Sequence, residues 1–113
     1  MPAGLTTHVL DTAGGCPAGG MQIELWSLEG AQRRLLKTAP TNAAGHTDFP
    51  LLGGEDLRTG EYELVFFVGD YFAPNPAARF LDRVPIRVNL VAGQSYHIPL
   101  LCSPWSYTTY RGS

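Results

Sequence analysis

Short stretches in which apolar and polar residues alternate recur along the chain, and this pattern constrains the fold more than any other feature. In residues 21–28, MQIELWSL, the side chains of Met21, Ile23 and Leu25 alternate with more polar ones. The same alternation recurs in residues 84–93, VPIRVNLVAG. A two-residue period is typical of a β-strand that buries one face. The chain is therefore expected to fold mainly into strands.

Seven or eight short strands separated by turns predict an antiparallel β-sandwich. The segments expected to form strands are residues 5–11, 21–28, 32–41, 60–71, 84–93, 95–101 and 106–111. Glu29-Gly30 is expected to form a hairpin turn. Pro85 and Pro99 lie inside strand-like runs, which favours edge positions or strand ends there. Residues 72–82 are the one helix candidate, with Pro76 at its first position.

The composition narrows the possible partners and location. A length of 113 residues predicts a single domain, residues 1–113. The net charge is -2 and the chain contains one lysine, Lys37, so no nucleic-acid partner is expected. No apolar run reaches the length of about 18 residues that a membrane helix needs. The first twenty residues do not resemble a signal peptide, which predicts a cytoplasmic protein in which Cys16 and Cys102 are free thiols.

Candidate catalytic residues are few, since the chain has only three histidines, His8, His46 and His97. A lone histidine in a strand is more often structural than catalytic. Three histidines could hold zinc, but their spacing matches no short-range ligand pattern. No metal or cofactor is therefore predicted. Neither a nucleophile elbow nor a phosphate-binding loop is present in the sequence, so the residues alone predict a β-sandwich without a defined activity.

Three segments add a resemblance that covers essentially the whole chain. LTTHVLDTAGGCPA at the start, GEYELVFFVGDYF in the middle and YHIPLLCSPWSYTTYRGS at the end resemble the 5-hydroxyisourate hydrolases, also called transthyretin-related proteins. The ending Tyr110-Arg111-Gly112-Ser113 matches the tetrapeptide that separates these hydrolases from transthyretin. The resemblance implies a transthyretin-like antiparallel β-sandwich of two four-stranded sheets with one short helix.

The resemblance also implies an activity and an assembly. Members of the resembled family hydrolyse 5-hydroxyisourate, a product of urate oxidation, at its lactam C–N bond. The product is a ureido-imidazoline carboxylate. The partner implied is therefore a small purine-derived substrate. The implied assembly is a homotetramer, a dimer of dimers, with active sites at the dimer–dimer interface.

Seven positions match the site of the resembled family. His8, His97 and Ser113 are implied as catalytic residues; His46, Tyr110, Arg111 and Gly112 are implied as substrate-binding residues. Lactam hydrolysis needs a base for water and an acid for the leaving nitrogen, and histidine titrates near the working pH. Which histidine takes the first proton stays open. The C-terminal segment is implied to enter the site, so an extension after Ser113 should be harmful.

One turn departs from the resembled family. His46 stands where the family usually has arginine, and Ala44 replaces the usual aspartate. Either the change is tolerated, or it alters substrate choice, because imidazole lacks the permanent charge and rigid donors of a guanidinium. The second interpretation favours an N-methylated hydroxyisourate, such as the trimethyl form from methylxanthine breakdown. A further alternative is a non-catalytic, transthyretin-like ligand-binding protein.

Overall fold

The computed structural model describes residues 4–112, which form two packed β-sheets and one short α-helix. The strands are β1 (Gly4–Asp11), β2 (Cys16–Pro17), β3 (Gln22–Glu29), β4 (Gln32–Pro40), β5 (Leu52–Gly53), β6 (Gly60–Phe66), β7 (Val84–Leu90), β8 (Ser95–Cys102) and β9 (Tyr107–Thr109). The helix α1 spans Val68–Phe72 and is followed by a 3₁₀ turn at Pro76–Ala78. No helix among these residues is long and apolar enough to span a membrane.

The first sheet, called sheet one, has the strand order β2-β1-β8-β9, and β5 pairs with the start of β1. Strands β1 and β8 run parallel along their full lengths. This register places Thr6 opposite His97 and His8 opposite Pro99. Residues far apart in the sequence are thereby brought side by side in the middle of sheet one.

The second sheet, called sheet two, has the order β4-β3-β6-β7 with antiparallel neighbours throughout. Strands β3 and β4 form a hairpin in which Glu29 pairs with Gln32. Gly30 adopts φ +63° in its turn, a conformation that glycine takes without steric cost. The predicted hairpin forms, but its turn lies one residue later than predicted, at Gly30-Ala31 rather than Glu29-Gly30.

The core lies between the two sheets and follows the alternation of the sequence. On β3, Ile23 and Leu25 are fully buried; on β1, Leu5 and Val9 are. Three further residues complete the centre of the core: Leu64 and Phe66 on β6 of sheet two, and Leu100 on β8 of sheet one. Because successive side chains of a strand point to opposite faces, residues such as Thr6 and His8 must point outward from sheet one.

The prediction of a two-sheet sandwich with one short helix is confirmed, and three details differ from it. The β1–β8 pair is parallel rather than antiparallel, and the two-residue strands β2 and β5 extend sheet one beyond four strands. The α-helix forms at Val68–Phe72, and all but its last residue lie in the segment 60–71 predicted as a strand, whereas the rest of the predicted helical region forms only the 3₁₀ turn. Pro76 does begin that turn, as predicted.

Tertiary contacts explain the displaced helix. Tyr71 Oη donates to Asp11 Oδ2 at 3.0 Å, which ties α1 to the end of β1. Gly69 N donates to Asp82 O at 2.8 Å, and a Cβ on Gly69 would lie 2.9 Å from Leu81 O. These contacts join distant segments, so the local sequence pattern carries no sign of them.

The two prolines occupy different positions. Pro85 lies on β7, an edge strand, as predicted. Pro99 lies on β8 between β1 and β9, where the prediction of an edge or a strand end is wrong. The carbonyl oxygens of His97 and Pro99 both face the C-terminal segment, accepting from Gly112 N and Thr109 Oγ1. Since proline has no N–H on that side, β9 ends at Thr109 and pairing resumes only at Gly112.

Both cysteines carry free thiols, as predicted, with Cys16 exposed and Cys102 buried in the core. Asp11 pairs with both residues, one on each side of β1. Burial raises the pKa of the Cys102 thiol to about 12, and the Asp11 carboxylate adds to the shift. Cys102 is therefore a neutral core residue rather than a nucleophile.

Candidate active site

Two histidines from separate elements stack on the outer face of sheet one. His8 points outward from β1 between the buried residues Thr7 and Val9. His46 comes from the loop before β5 and pairs with His8 through an isolated β-bridge. Their ring centroids lie 4.1 Å apart with an interplanar angle of 21°. The loop thus positions one imidazole over the other.

The loop that carries His46 is held by Asn42. The side-chain Oδ1 of Asn42 accepts from the backbone nitrogens of Ala44 at 3.0 Å and His46 at 3.2 Å, and the backbone N–H of Asn42 donates to His46 O at 2.6 Å. Asparagine favours such local bonds in turns. These bonds use only the backbone of Ala44, so the turn forms without the aspartate side chain usual in the resembled family.

Gly45 brings this loop against β1. It has φ +84°, and Gly45 O accepts from Val9 N at 2.9 Å. A Cβ at this position would overlap Val9 O and lie 3.1 Å from His8 Cδ2. Glycine is therefore required by both the backbone conformation and the close approach to His8.

The hydrogen bond of His8 defines its tautomer. His8 Nε2 lies 3.0 Å from Ala44 O, and a carbonyl oxygen only accepts. Nε2 must therefore carry a proton, which leaves Nδ1 as the ring nitrogen not engaged by Ala44 O.

His97 lies on the same outer face, one strand away from His8. Its Nδ1 is 2.9 Å from Thr6 Oγ1. Burial lowers the pKa of His97 below its ordinary value of 6.5, and the nearby charges of His8 and His46 lower it further. The imidazole of His97 is consequently neutral at neutral pH, which is the state required of a general base.

The C-terminal segment passes beside His97. Gly112 N donates to His97 O at 2.7 Å, and a Cβ on Gly112 would lie 2.8 Å from His97 Cδ2. Tyr110 belongs to the same segment, and 58% of its surface is exposed. Glycine at position 112 thus allows the segment to lie directly against the imidazole.

Arg111 takes a different direction from its neighbours. Its guanidinium lies 4.4 Å from the centroid of the Tyr96 ring, and it donates to Ser95 O at 3.3 Å. Tyr96 is buried in the core, so the Arg111 side chain lies on the face of sheet one opposite to His97. Within one chain, Arg111 is therefore not brought together with the histidines.

Four of the seven positions implied by the sequence lie on or directly against the outer face of sheet one. They are His8, His46, His97 and Gly112. Ser113 lies outside the described residues. Sequence reasoning missed Thr6, the partner of His97, because only the parallel register of β1 and β8 reveals that the two residues are opposite each other.

No group of His, Cys, Asp or Glu side chains within residues 4–112 is arranged to hold a metal ion. The histidine cluster instead offers proton transfer at an open surface. His97 is suited to accept a proton, and His8 and His46 present further imidazole nitrogens beside it. This chemistry fits the hydrolysis of a small, polar substrate.

The fold and the histidine cluster together define a transthyretin-like sandwich with three histidines gathered on one outer face. The family model described as the HIUase/Transthyretin family matches residues 5–112, and the chain belongs to this family.

Three similar proteins illustrate the relationship. The 5-hydroxyisourate hydrolase of Mesorhizobium japonicum is 55% identical over 96% of this chain and 91% of its own length. The solved structure of Klebsiella pneumoniae 5-hydroxyisourate hydrolase has a TM-score of 0.83 and 32% identity, covering 98% of this chain and 94% of that one. A solved (S)-allantoin synthase has a TM-score of 0.89 and 42% identity over 99% of this chain. This chain spans only 44% of that synthase's length.

Proposed function

We propose that this protein is a hydrolase that opens the six-membered ring of 5-hydroxyisourate at its lactam C–N bond, yielding a ureido-imidazoline carboxylate. The observation that carries the proposal is the convergence of His8, His46 and His97 on one outer face. The high identity to a 5-hydroxyisourate hydrolase over nearly the full chain supports the same activity. The identity to an enzyme also disfavours the alternative of a non-catalytic ligand-binding protein.

The geometry supports distinct roles for the two strand histidines. Neutral His97 takes a proton from the attacking water, which adds to the lactam carbonyl carbon. His8, whose Nε2–H is held by Ala44 O, acts as a relay: Nδ1 first takes up a proton from solvent and then gives it to the leaving ring nitrogen, while the proton that His97 took from water returns to solvent. As the resemblance implies, Tyr110 and Gly112 are proposed to contact the substrate, and Ser113 is proposed to take part in catalysis.

The role of His46 is to form one wall of the site. Its ring stacks on His8 and presents a flat, adaptable surface instead of the five donors of an arginine. The same wall would accept an N-methylated hydroxyisourate, because no permanent cation there demands an ionisable N–H on the substrate. The unmethylated compound is the proposed substrate, and the methylated one is the alternative that the assay below separates.

We also propose a homotetramer, a dimer of dimers, with the site at the dimer–dimer interface. The outer face of sheet one is open in a single chain, and aromatic residues of the C-terminal segment are exposed: Trp105, Tyr107 and Tyr110. Exposed apolar side chains around a site favour burial by another subunit. A cytoplasmic location belongs to the same proposal, since the free thiols Cys16 and Cys102 suit a reducing compartment.

A paired assay tests the activity. 5-Hydroxyisourate and its trimethyl analogue are generated freshly by enzymatic oxidation, and their ultraviolet decay is followed with and without the protein. Faster decay of the unmethylated compound is expected. Preference for the trimethyl compound would transfer the proposal to the methylated substrate, and no acceleration of either would overturn the hydrolase proposal.

A companion measurement tests the assembly. Light scattering coupled to size-exclusion chromatography should give about four times the chain mass of 12.3 kDa. Substituting Tyr110 with Arg places a charge on the proposed interface and should lower the mass, whereas Thr12→Arg, at the far end of β1, serves as the control. A monomeric wild-type protein with full activity would contradict the interface site.

A further inference from the structure

Thr6 has a hydroxyl group that lies against His97 and away from the core. Thr6 Oγ1 is 2.9 Å from His97 Nδ1 and 3.4 Å from Tyr96 O. The neighbouring residue Thr7 points into the core, where its hydroxyl donates to Ile98 O at 2.6 Å. Of these two adjacent threonines on β1, only Thr6 contacts a histidine of the site.

Thr6 Oγ1 contacts both Tyr96 O and His97 Nδ1, and these two contacts indicate the direction of the hydrogen bond between Thr6 and His97. A hydroxyl has one proton, and Tyr96 O accepts only. When the Thr6 proton is directed to Tyr96 O, Thr6 Oγ1 accepts from His97 Nδ1–H, and Nε2 keeps its lone pair. The same arrangement holds when His97 becomes an imidazolium, because both ring nitrogens then donate. The hydroxyl therefore does not need to reorient when His97 takes a proton.

The position of the ring supports this assignment. Nδ1 faces Thr6, and the Cδ2 side of the ring faces Gly112, so the imidazole is fixed between β1 and the C-terminal segment. Nε2, which adjoins Cδ2, is the nitrogen on the side of the C-terminal segment. No other side-chain hydrogen bond to the His97 ring is present within residues 4–112.

We propose that Thr6 is a positioning residue, whose hydroxyl accepts from His97 Nδ1–H and thereby keeps His97 Nε2 unprotonated and aimed at the substrate. This inference rests on the proposed function, in which His97 is the general base. It assigns to Nε2, rather than Nδ1, the proton taken from water. Thr6 itself does not contact the reacting atoms.

Two variants separate the hydroxyl from the packing of the side chain. Thr6→Val keeps the shape and removes the oxygen, and Thr6→Ser keeps the hydroxyl. Thr12→Val is the matched control, because Thr12 Oγ1 donates to Cys102 O at 3.1 Å and contacts no histidine. Each protein is studied as the full chain by long-range ¹H–¹⁵N NMR of the histidine rings and by steady-state kinetics with 5-hydroxyisourate.

The NMR spectra and the kinetic constants each have their own expected result. Wild type and Thr6→Ser should show His97 protonated at Nδ1 in its neutral form, whereas Thr6→Val should show a mixture with the Nε2–H tautomer. A base in the wrong tautomer is ineffective, so kcat should fall at least about tenfold in Thr6→Val. KM should stay within about twofold, since Thr6 does not contact the substrate. Thr6→Ser should recover most of the rate.

Two outcomes would overturn the inference: a Thr6→Val protein that retains the Nδ1–H tautomer, or a Thr6→Ser protein as impaired as Thr6→Val. The NMR measurement needs no substrate. If wild type failed to hydrolyse hydroxyisourate but showed the Nδ1–H tautomer lost in Thr6→Val, the proposed function would fail while the positioning role of Thr6 would stand.

Discussion

The imidazole rings of His8 and His46 lie face to face, 4.1 Å apart between centroids and inclined by 21°. The two residues are 38 positions apart in the sequence and belong to different elements, a strand and a loop. The contact is made possible by Gly45, which lets the loop backbone touch β1. His97 lies close enough for the charges of both rings to lower its pKa. The following predictions test this arrangement.

The pH dependence of the rate should reflect His97. Burial, followed by the charges of His8 and His46, lowers the pKa of His97 below 6.5, so the base is unprotonated at neutral pH. The rate constant kcat/KM should therefore be level near pH 7 and fall only below pH 6.5. Replacing His46 by Asn removes one nearby charge and should move this acid limb to higher pH. A limb that stayed in place would show that the coupling is negligible.

The same shift should appear in stability. Because the pKa of His97 is lower in the folded protein, the unfolded chain binds more protons between that pKa and 6.5. The contribution of His97 to stability is therefore full above pH 6.5 and is lost as the pH falls through this window. Urea unfolding at a series of pH values measures the effect, and His97→Gln should reduce the slope. An unchanged slope would contradict the assignment.

The His8–His46 stack should contribute to the geometry of the site. His46→Ala removes the ring, while His46→Phe preserves a flat ring without a titratable nitrogen. Aromatic pairs contribute about 0.5–1.5 kcal/mol, so the alanine variant should lose about that much stability and the phenylalanine variant less. In kinetics with 5-hydroxyisourate, kcat/KM should fall further for alanine than for phenylalanine. Equal losses in both would show that the nitrogens, not the stacking, matter.

Gly45→Ala should destabilise the fold and disturb the site together. The new Cβ would overlap Val9 O, and the φ of +84° would be strained for any other residue, at a cost of about 1–2 kcal/mol from the conformation alone. Gly30→Ala is the matched control: φ is also positive, but no described atom lies within 4 Å of the added Cβ. Urea unfolding should therefore show a larger loss for Gly45→Ala, with activity lost only in that variant.

Gly112→Ala should impair activity more than stability. Its Cβ would lie 2.8 Å from His97 Cδ2, so either the imidazole or the C-terminal segment must move. We expect kcat to fall about tenfold or more, because small displacements of a catalytic base reduce rates strongly. The thermal midpoint should change by only a few degrees, because Gly112 joins the sheet only through an isolated bridge to His97. Gly53→Ala, where an added Cβ meets no described atom within 4 Å, should behave like wild type.

Residues with a regular period were predictable. Ile23 and Leu25 alternate with polar neighbours because β3 has one buried face, and Gly30 marks its hairpin because few other residues adopt a positive φ. The helix at Val68–Phe72 was not predictable in the same way. It is held by Tyr71 to Asp11 and by Gly69 to Asp82, contacts that depend on how the sheets meet rather than on local pattern.

The same distinction applies to the candidate site, part of which was predictable from the sequence and part of which was not. The resemblance of the sequence pointed to the histidines and to the C-terminal tetrapeptide. The direction of Arg111 did not follow from that resemblance, because it depends on the register of Gly112 against His97. The partner of His97 was also hidden, since Thr6 and His97 are 91 residues apart.

By itself, therefore, the sequence determined the strands, the buried faces and the set of chemically capable residues, because these depend on side-chain period and residue type. The tertiary structure decided which of those residues meet. The parallel pairing of β1 with β8 places Thr6 beside His97, and Gly45 allows the His46 loop to pack closely against His8. Strand register and close backbone approach are long-range properties, and no local pattern of residues encodes them.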